Sequence, residues 1–269
     1  MTPADTSAVE RGHASVNGIR MYYEIHGEEG GVPLVLLHGG GSTIGVTWGR
    51  ILPHLARGRR VVAVEERGHG RSSDRPGPYR FDSSADDVAE LLSTLGVTRA
   101  DLFGFSNGAN VALQVAIRHP QVVRRLVFAS APTRRDGAHP QLWEFMDGAE
   151  FDNMPQTLKD AFLEVNPDST QLRRMHDGDA ERMRNFQDVP DDLLHNLEAT
   201  TLVLVGDRDI VRPEHAIEVA ALIPDARLLV LPGGHGDYLG ERVADPDARS
   251  PYPPLTAALV GAFLDQGED

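Results

Sequence analysis

The chain contains no cysteine. That absence removes disulfides, thiol nucleophiles and thiolate metal sites, and it fits a reducing compartment. Long hydrophobic runs are missing as well: nothing approaches the ~20 apolar residues of a membrane-spanning helix. The opening stretch, "MTPADTSAVERGHASV", lacks the apolar segment of a secretory leader. Positive charge is in deficit, with 26 basic against 40 acidic residues and a formal net charge of −14. A surface of that sign suits neither nucleic acid nor an anionic membrane. The expectation is a cytoplasmic protein whose partner is a small molecule, as a monomer or homodimer.

The 269 residues suffice for one large α/β domain with an insertion. Asn17-Gly18 separates two β-rich stretches, "ASV" (14–16) and "IRMYYEI" (19–25), a strong hairpin signal. Six further runs read as strands buried on both faces of a parallel sheet: "PLVLL" (33–37), "RVVAV" (60–64), "ADLFGF" (100–105), "RLVFAS" (125–130), "TLVLV" (201–205) and "ARLLVL" (226–231). Helical patterns lie between them. "SSADDVAELLSTLG" (83–96) begins with serines and acids suited to capping and stops at a glycine. "PEHAIEVAALI" (213–223) has Pro213 at a first helical position, and "PLTAALVGAFL" (254–264) closes the chain. Such alternation predicts a doubly wound α/β fold. Residues 133–198 break the rhythm, being polar with scattered large apolar side chains and no convincing strand. They read as a helical insertion over the C-terminal strand ends, leaving 1–132 and 199–269 as the core.

Ser106 stands between Gly104 and Gly108, where an apolar run turns into a helical pattern. One reading makes it a helix cap. The other is G-x-S-x-G, a tight elbow that exposes a nucleophile above a parallel sheet. Glycines flank such a serine because side chains there would collide with neighbouring backbone. A hydroxyl attacks only when a base takes its proton, so partners should follow later strands. "TLVLVGDRDIVRP" offers Asp207 and Asp209, and "LLVLPGGHGDYLGE" offers His235. Asp209 is preferred as the acid, with Asp207 bracing the turn. The order Ser106, Asp209, His235 is the one this kind of fold uses. His38 and His69 also follow strands, but their glycine-rich loops suggest bracing roles.

"HGGGST" places Gly39, Gly40 and Gly41 after a strand, where backbone N–H groups could hold an oxyanion. Gly40 is the preferred donor, with its two neighbours as alternatives, and the N–H of Asn107 supplies the other. Gly40 and Gly45 have P-loop spacing, but Val46-Thr47 replaces the phosphate-gripping Lys-Ser/Thr, and Ile44 spoils G-x-G-x-x-G. The histidines are scattered and no H-E-x-x-H occurs, which argues against a metal. Trp143, Phe145 and Met146 in the insertion are candidates for substrate contact.

Together, "YYEIHG", "PLVLLHGGGS", "VVAVEERGHGRSSD", "GFSNGANVALQVAIRHP", "LVLVGDRDIVRP" and "LPGGHGDYLGE" resemble the α/β-hydrolase superfamily over nearly the whole chain. The resemblance implies an eight-stranded sheet, a helical cap over about 133–198, and cofactor-free catalysis by Ser106, His235 and Asp209. Glu65-Glu66 before "RGHG" and Ala109 after the elbow depart from the usual pattern. A serine in the elbow argues against the haloalkane dehalogenase and epoxide hydrolase branches. The function this implies is serine hydrolysis of a small or medium carboxylic ester through an acyl-enzyme. Carbon–carbon hydrolysis, lactone opening or perhydrolysis at the same triad, and a non-catalytic receptor on the same scaffold, remain as rivals.

Overall fold

The computed structural model describes residues 10–27 and 30–267; the first nine residues of the stretch read for a leader lie outside them. Eight strands form one sheet: β1 (Glu10–Val16), β2 (Ile19–His26), β3 (Leu34–Leu37), β4 (Val61–Val64), β5 (Ala100–Phe105), β6 (Val123–Ala129), β7 (Thr200–Gly206) and β8 (Ala226–Leu231). Their order is β1-β2-β4-β3-β5-β6-β7-β8. The β1–β2 and β2–β4 pairs are antiparallel and all later pairs are parallel. Asn17 and Gly18, with φ of 42° and 84°, make the hairpin turn between β1 and β2. Both signs are those a type I′ turn needs.

Among the described residues there are ten α-helices: α1 (Ile44–Thr47), α2 (Leu52–Leu55), α3 (Phe81–Thr94), α4 (Asn107–Arg118), α5 (Pro140–Asp147), α6 (Gln156–Val165), α7 (Ser169–Arg184), α8 (Asp191–His195), α9 (Pro213–Leu222) and α10 (Tyr252–Leu264). None among the described residues is long and apolar enough to cross a membrane.

The apolar runs are buried on both sides because alternate residues serve two cores. Val35, Leu37, Val62, Val64, Leu102 and Val203 pack with α3, α4 and α9. Leu34, Leu36, Val61, Phe103, Phe105 and Leu204 pack with α1, α2 and α10. β8 differs from the expectation of two-sided burial. It is the last strand of the sheet, and Leu228 and Val230 are 40% and 42% exposed. An edge strand has no neighbour to extend the covering layer, so its outward side chains meet solvent.

The start of α3 also corrects the sequence reading. Its N-cap is Arg80, without a side-chain cap, and Ser83 and Ser84 lie inside the first turn. Ser83 Oγ instead donates back to the Arg80 carbonyl at 3.1 Å. Between β6 and β7 the named elements are helical, apart from an isolated bridge joining Ala138 to Val211.

Candidate active site

Ser106 lies between β5 and α4 with φ 55° and ψ −124°. For a non-glycine residue this region costs about 1–3 kcal/mol. The strain is held because Gly104 and Gly108 let backbones meet. A Cβ on Gly104 would lie 2.3 Å from the Gly108 carbonyl oxygen, and one on Gly108 2.2 Å from that of Leu37. Ser106 occupies the N-cap position, yet its side chain makes no capping bond. Its Oγ lies 3.1 Å from His235 Nε2 instead, which rules out the capping reading.

His235 follows β8, and its Nδ1–H donates to Asp209 Oδ1 at 2.7 Å. Asp209, after β7, is almost wholly buried. It also accepts from Ser130 Oγ at 2.5 Å and the Gly206 N–H at 3.2 Å. Burial pushes the Asp209 carboxyl up, but the His235 charge and these hydrogen bonds outweigh it and hold it below the usual range. Burial pushes His235 down; the charge and hydrogen bond of Asp209 outweigh that and raise it. With Nδ1 donating, Nε2 is left to accept the Ser106 proton. Asp207 braces the turn, accepting from the Gly233 N–H at 2.8 Å.

The three glycines after β3 have different partners. The Gly39 N–H reaches Thr47 Oγ1 at 3.4 Å, and the Gly41 N–H donates to Asp179 Oδ2 at 2.7 Å. Among the described residues no hydrogen bond occupies the N–H of Gly40 or of Asn107. A Cβ on Gly40 would meet the Asn107 side-chain nitrogen Nδ2 at 2.4 Å. Two free backbone donors therefore border Ser106.

Asp179 was not legible as a site residue. α7 is capped by Asp168 and buries Leu172, Met175, Asp179, Arg182 and Met183 on one face. Two charges thus enter the contact with the core. Asp179 Oδ2 also accepts from His69 Nε2 at 2.9 Å, while Arg182 reaches Asp179 Oδ1 at 2.8 Å and Glu66 Oε2 at 3.1 Å. Burial pushes Asp179 up, but the charges of Arg182 and His69 hold it far below the usual carboxylate range. His69 Nδ1 faces the Arg67 carbonyl oxygen at 3.0 Å, so both ring nitrogens meet acceptors and the ring is an imidazolium. His38 differs: Nδ1–H donates to the Gly39 carbonyl at 2.8 Å and Nε2 accepts from the Glu66 N–H at 3.1 Å. That pattern fixes a neutral tautomer, and burial keeps it neutral.

Three more polar residues escaped the sequence reading. Ser130, with φ 52°, links Asp209 to the Tyr238 hydroxyl at 2.5 Å. With Ser130 donating to Asp209, Tyr238 donates to Ser130. Ser130 closes the run "RLVFAS" at the end of β6, and that placement was its one available signal. Glu241 is buried and accepts from Thr47 Oγ1 at 3.4 Å. Burial pushes its carboxyl up to about 7, against the opposing charge of His235 and the Thr47 hydrogen bond.

A cavity of about 310 Å³ opens above Ser106 and His235, walled mainly by apolar side chains of the helical segment such as Leu142, Met154, Leu158 and Met183. Phe145 and Met146 line it, whereas Trp143 does not. The expectation for Trp143 is therefore corrected. It packs with Met183 and Phe186 and donates its indole N–H to the Arg135 carbonyl at 2.7 Å. On α5 the tryptophan points inward, and its neighbours toward the cavity. Among the described residues no Lys or Arg lines the cavity; the ionisable ones that do are Asp179, Glu241, His176 and His235. No group of three or more His, Asp or Glu able to hold a metal ion occurs among the described residues.

The profile of the alpha/beta hydrolase fold family matches residues 32–185. The chain belongs to that family. A 2-hydroxymuconate semialdehyde hydrolase of Pseudomonas sp. (strain CF600) is 41% identical over 114 residues, covering 41% of this chain and 39% of that protein. The matched stretch is therefore well under two thirds of that relative's length. A solved hydrolase from Pseudomonas aeruginosa PA01 has 27% identity and a TM-score of 0.72, covering 97% of this chain and 100% of its own. A solved N-acyl homoserine lactone degrading enzyme has 26% identity and a TM-score of 0.71, covering 93% and 99%.

Proposed function

We propose that the protein is a serine hydrolase that cleaves small or medium uncharged carboxylic esters through an acyl-enzyme. The observation that carries this reading is the relay in which Ser106 Oγ lies 3.1 Å from His235 Nε2 and His235 Nδ1 lies 2.7 Å from Asp209. His235 takes the Ser106 proton as Oγ forms a bond to the ester carbonyl carbon, and Asp209 stabilises the imidazolium. The N–H groups of Gly40 and Asn107 hold the negative charge that develops on the carbonyl oxygen. His235 then protonates the departing alkoxide. It next draws a proton from water, whose oxygen attacks the acyl carbon, and returns that proton to Ser106 Oγ as the acyl–Oγ bond breaks and the acid leaves.

The apolar wall and the lack of a lining cation support an uncharged substrate. They count against a substrate carrying a free carboxylate, and a muconate is one. A lactone, being a cyclic ester, suits the same wall, and similarity to the N-acyl homoserine lactone degrading enzyme over 93% of this chain supports lactone opening as the second reading. The helical segment over residues 133–198 serves as the cap that closes the cavity and selects the acyl group.

Hydrolysis of p-nitrophenyl acetate, butyrate and octanoate by the wild type and by Ser106→Ala tests the reading. Turnover that falls by at least ~10³ in the variant is expected. Equal activity in both proteins would overturn Ser106 as the nucleophile. Inertness of both, with tight ligand binding, would favour a receptor.

A further inference from the structure

Asn110 lies on the first turn of α4, four residues beyond Ser106, and is only 4% exposed. It lines the cavity, and among the described residues its side-chain amide makes no hydrogen bond. An amide offers two donors and two acceptor lone pairs, and those of Asn110 are left facing the cavity. Asparagine is also a poorer helix former than alanine, which occupies the neighbouring positions Ala109 and Ala112. Packing and helix propensity alone would favour an apolar residue here. Asp179 is held by Gly41, His69 and Arg182, and Glu241 by Thr47. Among the described residues two amides of the wall have no hydrogen-bond partner, those of Asn107, which lies against Gly40, and of Asn110, which faces the mainly apolar chamber.

The side of the cavity follows from chemistry. His235 must protonate the leaving oxygen, so the leaving group faces the loop after β8. α4 packs beside α3 over β5, β6 and β3, none of which neighbours β8 in the sheet, which sets Asn110 on the acyl side of the cavity. A neutral amide suits a neutral partner. An anionic group would find no cation among the lining residues.

We propose that Asn110 is a specificity-determining residue that hydrogen-bonds a hydroxyl or keto oxygen carried on the substrate's acyl chain. The inference rests on the esterase reading above and narrows its substrate class to oxygenated acyl esters or lactones. The test compares kcat/KM for p-nitrophenyl butyrate, 3-hydroxybutyrate, hexanoate and 3-hydroxyhexanoate in the wild type, Asn110→Ala and Asn110→Leu. The wild type should favour at least one hydroxylated ester over its plain counterpart by about tenfold, the scale of one hydrogen bond. Both variants should bring that ratio to about one while melting at or above the wild-type temperature. A ratio that is the same in all three proteins for both pairs overturns the role of Asn110. Turnover of plain butyrate that disappears in Ser106→Ala establishes the esterase reading separately, so that result condemns Asn110 alone. Wild-type inertness toward all four esters overturns both.

Discussion

Glu241 puts a second buried carboxyl near the base of the relay, and its ionisation reaches His235 through space. The Asp209 charge is the main influence raising His235, and that of Glu241 adds to it. His235 can accept the Ser106 proton only when neutral, so activity should fall as pH drops through its raised value, above that of a free imidazole. Glu241→Gln keeps the shape and removes the charge. The acid limb of the kcat/KM profile should then move to lower pH. A limb that stays in place, or moves up, would separate Glu241 from the chemistry. At this scale Ser106, Asp209 and His235 were legible because each follows a strand that its own apolar run announces. Glu241 and Ser130 were not. A lone glutamate in "YLGERV" and a serine closing a strand are common in solvent-facing loops, and only the folded chain turns them inward.

The elbow between β5 and α4 makes a demand on two glycines that can be measured. A Cβ on Gly108 would approach the Leu37 and His38 carbonyl oxygens at 2.2 and 2.4 Å, and backbone cannot swing aside as a side chain can. Gly108→Ala should therefore destabilise the protein by about 3 kcal/mol, the upper end of overpacking costs, read from the urea midpoint. An unchanged midpoint would mean that the elbow relaxes freely. The strands read well from sequence at this scale, because two-sided burial leaves continuous apolar runs such as "LVLL" and "VVAV". The start of α3 read poorly: Ser83 and Ser84 have the chemistry of caps, but Phe81 and Ala85 pack inward and carry the helix past them. α7 was the hardest. Its buried face mixes Leu172 and Met175 with Asp179 and Arg182, so no apolar stripe announced which side meets the core.

That mixed face joins the two parts of the molecule. Asp179 and Arg182 come from the helical segment, Glu66 and His69 from the loop after β4, and all four are buried. Two cations and two anions balance there, and Asp179 also holds the Gly41 N–H beside the candidate oxyanion donors. The set can stay neutral only while His69 keeps its proton. Burial pushes His69 down, but the charge and hydrogen bond of Asp179 and the charge of Glu66 outweigh that and the nearby Arg182, and raise it. A histidine whose folded value exceeds its unfolded one adds stability that is complete below the unfolded value, near 6.5. That stability is lost as pH rises through the folded value. Faced toward His69 are Asp179 and Arg182 from α7, Glu66 from its own loop, and His38 from the loop after β3. Of these His38 is already neutral, and the carboxylates and guanidinium keep their charges through the alkaline range. Urea unfolding of wild type and His69→Gln between pH 6 and 10 should show wild-type stability declining over the alkaline part of that range. The variant should begin lower and decline less, so that the two curves converge as pH rises. Groups such as His235 contribute the same slope to both proteins, which makes the difference between the curves the decisive quantity. A constant difference would mean that His69 carries no charge in the fold, and the ionic contact between helical segment and core would then be the Arg182–Glu66 pair.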